Sequence, residues 1–571
     1  MGNPLFETIR VNVPGRTAFP MSHEVKMSAQ IGALIPFFIQ HTLPGDVWKM
    51  SSEIFLRMSP MLAPVMHRMD VYTHFFKVPM RLIYEDWETF ITGGKNGDGV
   101  KSDGTVAVFP QIAGYEVGKP GQLPDYLGYP TSQYDSQGGQ EPSSYKGLKE
   151  GDILESINLS MAELRAYNLV WNEYYRDQNL SADIKDSPYM KKGGIFEWSD
   201  IQKNVPWMSL MRYRAWEKDY FTSALPWAQR YKPVDLPIGD QAPIKFNNNG
   251  IESELVACDT FSSQLQDNPV LAPFGNRLVL KGASTTLAVN SGSRDETFGV
   301  TVDNSQNLYA DLKNATSVTI NELRRLYAIQ RFAEKSAVGG ARYIEQILSH
   351  FGVVSSDARL QRPEYLGGGK SPVIISEVLQ QSQTTGADSP GGASSLGDMA
   401  GRAISVGKTH GFATKCEEHC IIIGILSVMP RTTYQQGISR FLTKFDKFDY
   451  AWPSFANLGE QEVFNYEIFP QNNETSDNKT FGYQSRYAEY KFINSHVHGK
   501  FKTDLNYWHL GRVFDAPPAL NPAFITFDPR EVDRIFAVQT KDATDEHCYI
   551  QIFNKVQAVR PLPKYGTPEG L

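Results

Sequence analysis

Cysteine is scarce in this chain: Cys258, Cys416, Cys420 and Cys548 are the only four among 571 residues. So few thiols over such a length cannot make the disulfide framework of a small secreted scaffold. The opening stretch, MGNPLFETIR, is polar and lacks the apolar centre of a secretory signal. Met1-Gly2 does not begin a myristoylation motif, because Phe6 stands where Ser or Thr is required. The longest apolar runs, Ile31–Ile39 and Cys420–Met429, are interrupted and much shorter than a bilayer span. No membrane insertion is expected, and synthesis in a reducing cytoplasm is. Charge is also thin, with 21% charged residues and a net charge of −7. The chain is therefore no basic nucleic-acid wrapper, and any nucleic acid it meets must be held by local basic patches or a separate basic partner.

The motifs of common catalysis are missing too. No GxSxG elbow, HExxH or dinucleotide fingerprint occurs. Gly367-Gly368-Gly369-Lys370-Ser371 resembles the end of a phosphate-binding loop, but Glu364 occupies the position of its first glycine. Pro363 and Pro372 flank it, and a turn is expected there. Cys416, His419 and Cys420 lack a second ligand pair at zinc spacing. His496 and His498 would share one face of a strand, and a surface or interface role is expected for them. An EF-hand over Asn96–Gly104 fails at Val100, which has no side-chain oxygen. No catalytic residue, cofactor or metal ligand is assigned.

What is present is β character with long loops. Aromatics make up 12% of the chain, alongside 46 Gly and 34 Pro, a mixture too apolar for disorder. Ser22 to Gly94 reads as consecutive strands cut by Pro36, Pro44, Pro60, Pro64 and Pro79. Within Val47–Met58, Ile54, Leu56 and Met58 fall on one strand face. Val71–Val78 is rich in β-branched and aromatic residues and is closed by Pro79. A short helix over Glu85–Ile91 stops at Gly93-Gly94. Six methionines from Met50 to Met80 suit irregular gaps in cores or interfaces.

Further on, Ser160 and Glu163 form a capping-box pattern before Leu164, Tyr167, Val170, Trp171 and Tyr174 at helical spacing. That stripe is read as a packing face in preference to a base-stacking platform. A second capping box, Thr319 and Glu322, opens a helical segment over 319–352, broken at Gly339-Gly340 and closed at Gly352. Residues 95–150 and 240–316 are polar and loop-like, the second with short β-like pieces at Arg277–Leu280 and Thr297–Val302. Cys420–Met429 is a nearly continuous apolar strand ended by Pro430. Short apolar runs continue at Phe464–Phe469, Ala523–Phe527, Ile535–Val538 and Tyr549–Phe553. No repeat at solenoid periods appears.

Three blocks carry a family resemblance: SHEVKMSAQIGALIPFFIQHTLPGDVWKMSSEIFLRMSPM with FFKVPMRLIYEDWETFITGG, then RYRAWEKDYFTSALPWAQRYKPVDLPIG, then TINELRRLYAIQRFAEKSAVGGARYIEQILSHFGVVSSDARLQRPEYLGGG. They resemble the major capsid proteins of the Microviridae, small single-stranded-DNA bacteriophages, closest to the gokushovirus branch. The resemblance implies a mainly β fold: an eight-stranded antiparallel jelly-roll β-sandwich with long loop insertions and a few helices. It implies one capsid domain over 1–571, with 95–150 a long surface loop and 240–316 a variable insertion forming a surface protrusion. An extended tail at 561–571 would cross to a neighbouring subunit.

The function implied is structural. Copies would assemble through pentamers into the smallest icosahedral shell around a circular single-stranded DNA genome. A small basic DNA-associated protein and other phage assembly proteins would be partners, and a bacterial host surface receptor would meet the protrusion. Location would be the virion. Candidate DNA contacts are Arg324, Arg325, Arg331, Arg342, Arg359 and Arg362. Facing inward they would hold phosphates without reading sequence, whereas at the surface they would form ion pairs. A carbohydrate-binding or carbohydrate-cleaving β-sandwich is the rival reading. It lacks an identifiable acid pair.

Overall fold

The computed structural model describes residues 15–95, 97–132, 147–231, 320–340, 342–379, 399–537 and 546–565. It also describes four short strands between 244 and 310. Arg277–Leu280, Thr319 and the end of the tail lie outside the described residues. The chain divides into two compact units, Tyr231–Ala333 and the remainder.

Eight long strands form the main sheet of the larger unit. They are β1 (His23–Ala29), β2 (Ile35–Thr42), β3 (Val47–Met58), β4 (Met69–Pro79), β5 (Glu364–Leu379), β6 (Met399–Lys408), β7 (Cys420–Pro430) and β8 (Cys548–Arg560). One half pairs in the order β1-β8-β3-β6 and the other in the order β2-β7-β4-β5, all antiparallel. Strand β5 belongs to both halves: Glu364–Val373 pairs with β4, and Ile374–Leu379 pairs with β6. Thr17–Pro20 adds to β8, and Phe412–Lys415 adds to β3. Successive strands therefore alternate between the halves from β1 to β4, and, apart from the consecutive pair β5 and β6, neighbours in the sheet come from far along the chain.

Alternation of side chains explains why the sheet closes over itself. In β3, Trp48, Met50, Ile54, Leu56 and Met58 point inward, with Lys49, Glu53, Phe55 and Arg57 on the other face. Ile550, Ile552 and Val556 of β8 join them, and Phe37, Phe75, Ile422 and Leu426 of the second half complete the same core. Each such side chain contributes about 1.5–3 kcal/mol when fully withdrawn from water. The result is a mainly β, antiparallel sandwich, as expected from the sequence.

Strands β4 and β7 are buried on both faces, so β7 reads as a nearly continuous apolar run. Ile421, Ile423 and Ile425 turn away from the sandwich core into a second cluster. There they meet Leu164, Tyr167 and Val170 of helix α1 (Ala162–Val170). Ser160 Oγ accepts from the Ala162 amide at 3.1 Å and donates to Glu163 Oε2 at 2.7 Å, but Met161 is the N-cap, so the reciprocal capping box expected from the sequence does not form. The Tyr167 hydroxyl donates to the Leu34 carbonyl at 2.8 Å, which makes this stripe a packing face. Tyr115 and Tyr129, from the polar 95–150 stretch, stack inside the same cluster. Residues 133–146 of that stretch lie outside the described residues.

Two local expectations are corrected. Gly367–Ser371 is not a turn but the middle of β5, with an irregularity between Tyr365 and Gly367. A Cβ on Gly368 would stand 2.2 Å from the Thr73 carbonyl oxygen. Glycine there lets β5 approach β4 closely, and that need outweighs its turn propensity. Between β7 and β8, three of the apolar runs are mostly 3-10 turns and a short helix, at Asn465–Glu467, Pro522–Ile525 and Asp533–Ile535. Prolines and Asn or Asp caps divide them.

The smaller unit contains two antiparallel strand pairs, Ile244–Phe246 with Leu308–Ala310 and Leu255–Asp259 with Phe298–Val302. Helix α2 (Ile320–Gly339) begins in this unit, and α3 (Tyr343–Phe351) lies in the larger one. Gly352, with φ 70°, ends α3 as the sequence predicts.

Candidate functional site

Three arrangements could serve a function, and none has the geometry of a catalytic centre. The first is the set of six arginines. Arg324, Arg325 and Arg331 lie exposed on α2 without an ion pair to another described residue. Arg359 is exposed as well. Arg342 and Arg362 are turned inward onto one short segment. Arg342 donates to the carbonyls of Asn172 and Arg176, at 3.3 and 3.0 Å, and pairs with Glu345 at 3.3 Å. Arg362 pairs with Asp357 at 3.3 Å, and its guanidinium lies 4.3 Å from the centre of the Tyr174 ring. Arg342 thus makes three hydrogen bonds inside the subunit, and Arg362 adds one to the Glu173 carbonyl at 3.5 Å.

The second arrangement is a charge cluster around Asp70, a carboxylate only 2% exposed. Lys370 Nζ stands 3.0 Å from it and Arg431 Nε 3.5 Å. The same two cations pair with Glu217, which also accepts the Tyr72 hydroxyl. Burial alone would raise the Glu217 carboxyl, but the Tyr72 hydroxyl, Arg431 and Lys370 together hold it below its ordinary value. Burial and the bond to Glu217 push the Tyr72 hydroxyl up. Glu217 therefore stays ionised and paired and is not poised to move a proton. The cluster ties Trp216–Lys218 to β4, β5 and the end of β7.

The third arrangement is apolar surface. Between 438 and 458 the chain leaves Phe441, Leu442, Phe445, Phe448 and Trp452 exposed, and Ile493 beside them. Phe445 is 90% exposed and Ile493 is 95% exposed. These side chains are held out by a firm base. Phe441 packs edge-on against Tyr490 at 5.0 Å, and Arg440 pairs with buried Glu467 at 3.3 Å.

The remaining candidates do not assemble a centre. Cys416 and Cys420 are buried, and burial pushes the Cys420 thiol up to about 12, so it remains protonated and unreactive. His419 packs against Trp87 instead. The rings of His496 and His498 lie 6.0 Å apart on an exposed segment. Among the described residues, no three His, Cys, Asp or Glu side chains gather as metal ligands would. No described helix is long and apolar enough to cross a membrane. The 438–458 surface escaped sequence reasoning because its aromatics follow neither strand nor helix spacing. Their density in RFLTKFDKFDYAWPSF was the available signal.

The fold is a mainly β sandwich that carries exposed apolar and cationic surfaces. Residues 8–569 match the family model described as "Capsid protein (F protein)", and the chain belongs to that capsid family. It is 33% identical to Capsid protein VP1 of Chlamydia phage 1, over 97% of this chain and 95% of the relative. It is also 33% identical to Capsid protein VP1 of Bdellovibrio phage phiMH2K, over the same shares. Capsid protein VP1 of Spiroplasma virus 4 is 31% identical, over 99% of this chain and 97% of the relative. These relatives are gokushovirus proteins, as the resemblance implied. The chain is a structural major capsid protein, not an enzyme, and its place is the virion.

Proposed function

We propose that copies of this chain assemble through pentamers into the smallest icosahedral shell, around a circular single-stranded DNA genome. The observation that carries this reading is the family match over nearly the whole chain. The strand order supports it, since β1-β8-β3-β6 facing β2-β7-β4-β5 is the order of an eight-stranded jelly roll. The apolar surface at 438–458 would be buried between copies, and the tail at 561–571 would reach a neighbour. Arg324, Arg325, Arg331 and Arg359 are free to meet phosphates, while Arg342 and Arg362 act within the subunit. A small basic protein and other phage proteins would offset the net charge of −7 and assist assembly. Residues 240–316 would form the protrusion that meets a host surface receptor, as polar, solvent-facing insertions can.

Nuclease treatment of purified particles tests this reading. Protected circular single-stranded DNA is expected, and shells that never protect DNA would refute it. Replacing Arg324 and Arg325 with Ala should reduce DNA content before it affects folding. Unchanged DNA content would remove both from the set of contacts.

A further inference from the structure

The outer face of the β1-β8-β3-β6 half is a second cationic surface, independent of the arginines on α2. Register fixes its side chains. Tyr549 of β8 stands opposite Arg57 of β3, Gln551 opposite Phe55, Phe553 opposite Glu53, and Gln557 opposite Lys49. Arg57 in turn lies opposite Ile404 of β6, and Arg402 projects from the same face two residues along. Inward alternates such as Leu56, Ile550 and Ile552 are buried, so the face is one continuous outward surface.

Its charge is one-sided. The carboxylates on it are Glu24 and Glu53, and both are engaged. Glu24 lies 3.9 Å from Lys26, and Glu53 lies 2.7 Å from Lys555 and 4.0 Å from Lys408. Lys49, Arg57 and Arg402 have no carboxylate partner among the described residues. The Arg57 guanidinium stands 5.1 Å from the centre of the Phe55 ring. A shallow groove of about 730 Å³ continues the face, lined by Pro20, Ser22, Lys49, Ser51, Lys555 and Gln557. In a chain of net charge −7, this concentration of cations is a local inversion.

We propose that this sheet face is a sequence-independent binding surface for single-stranded DNA, a proposal that rests on the genome-enclosing shell above. Cations at Lys49, Arg57 and Arg402 meet phosphates, while the rings of Phe55, Tyr549 and Phe553 offer planes for unpaired bases. A duplex keeps its bases stacked inside and gives those rings nothing to hold. The mixture of rings and cations therefore selects the single strand.

The test uses the full-length protein and oligo(dT). Affinity is measured by fluorescence anisotropy across a salt series, for the natural chain and for a Lys49→Ala, Arg57→Ala, Arg402→Ala variant. Each phosphate contact on a single strand adds about 0.7 to the slope of log affinity against log salt. The triple variant should lose about 2 in slope, and ultraviolet crosslinks of oligo(dT) should fall on Phe55 or Tyr549. If the triple variant does not fold, Lys49→Gln alone should lose about 0.7. An unchanged slope, or crosslinks confined to α2, overturns the proposal. So does protection of Lys49 and Lys555 from a lysine-acylating reagent in DNA-free particles, which would mean that a neighbouring copy covers the face. Sedimentation of the same samples reads shell formation separately. Particles that form with an unchanged slope reject this face and leave the shell standing, whereas absence of particles from the natural chain rejects the shell.

Discussion

Lys444 Nζ lies 2.6 Å from Glu489 Oε1, and both side chains are almost wholly withdrawn from water. Gln461 donates to the other Glu489 oxygen at 2.7 Å, and the Lys444 ammonium faces the Tyr490 ring at 4.4 Å. Burial would raise the Glu489 carboxyl, but the bonds from Lys444 and Gln461 hold it below its ordinary value. This pair anchors the segment whose apolar side chains stand in solvent. Lys444→Ala leaves a buried carboxylate unpaired and should destabilise the subunit by roughly 3–5 kcal/mol. Lys444→Met with Glu489→Leu should cost far less. Urea denaturation of both variants checks the difference.

His67 and His74 carry an acid sensitivity. His67 Nε2 lies 2.7 Å from the Arg431 carbonyl, and His74 Nδ1 lies 2.7 Å from the Tyr175 hydroxyl. Burial, chiefly, pushes both imidazoles down to about 4. An unfolded chain takes up these protons near pH ~6.5, where the folded chain refuses them. Stability therefore falls as pH drops from about 6.5 to about 4, by up to roughly 3 kcal/mol per histidine, and the loss is complete below that. A His67→Gln, His74→Asn variant should show a flatter stability profile in this window. Chemical denaturation at pH values across the window measures it.

Gly368 has no room for a side chain. With Thr73 O at 2.2 Å from its ideal Cβ, Gly368→Ala must part β5 from β4 or bend both. A loss of about 3 kcal/mol is expected. Gly97→Ala serves as the control because no atom lies within 4 Å of its Cβ position, and its positive φ limits the cost to local backbone strain. Thermal unfolding of the two variants should separate them clearly.

Phe445 and Ile493 contribute little to the isolated subunit, being 90% and 95% exposed. Phe445→Ser and Ile493→Ser should leave its unfolding midpoint within about 0.5 kcal/mol of the natural chain. Assembly should suffer strongly, since central apolar contacts carry most of an interface's energy. Light scattering during assembly would show this as a raised critical concentration.

The sandwich was largely legible because its strands alternate cleanly. In Val47–Met58 the residues Ile54, Leu56 and Met58 mark the inner face, and the same alternation places Lys49, Phe55 and Arg57 outside. Long-range partners were not legible: nothing local in β3 says that its neighbour is β8, some five hundred residues on. Gly367–Gly369 misled because glycine serves turns and close strand contact equally. Arg342 and Arg362 looked like surface cations, and only the fold shows them gripping Asn172–Tyr174 and Arg176. The 438–458 segment was hidden because its two short 3-10 pieces, Arg440–Thr443 and Pro453–Phe455, are joined by turns, so no single period runs through its aromatics.

Sedimentation of the protein expressed with its neighbouring phage genes, followed by electron microscopy of the fast fraction, tests the account most directly. Uniform icosahedral particles built from this chain are the predicted result. A slow, monodisperse monomer that forms no particles, even with those partners present, would contradict it.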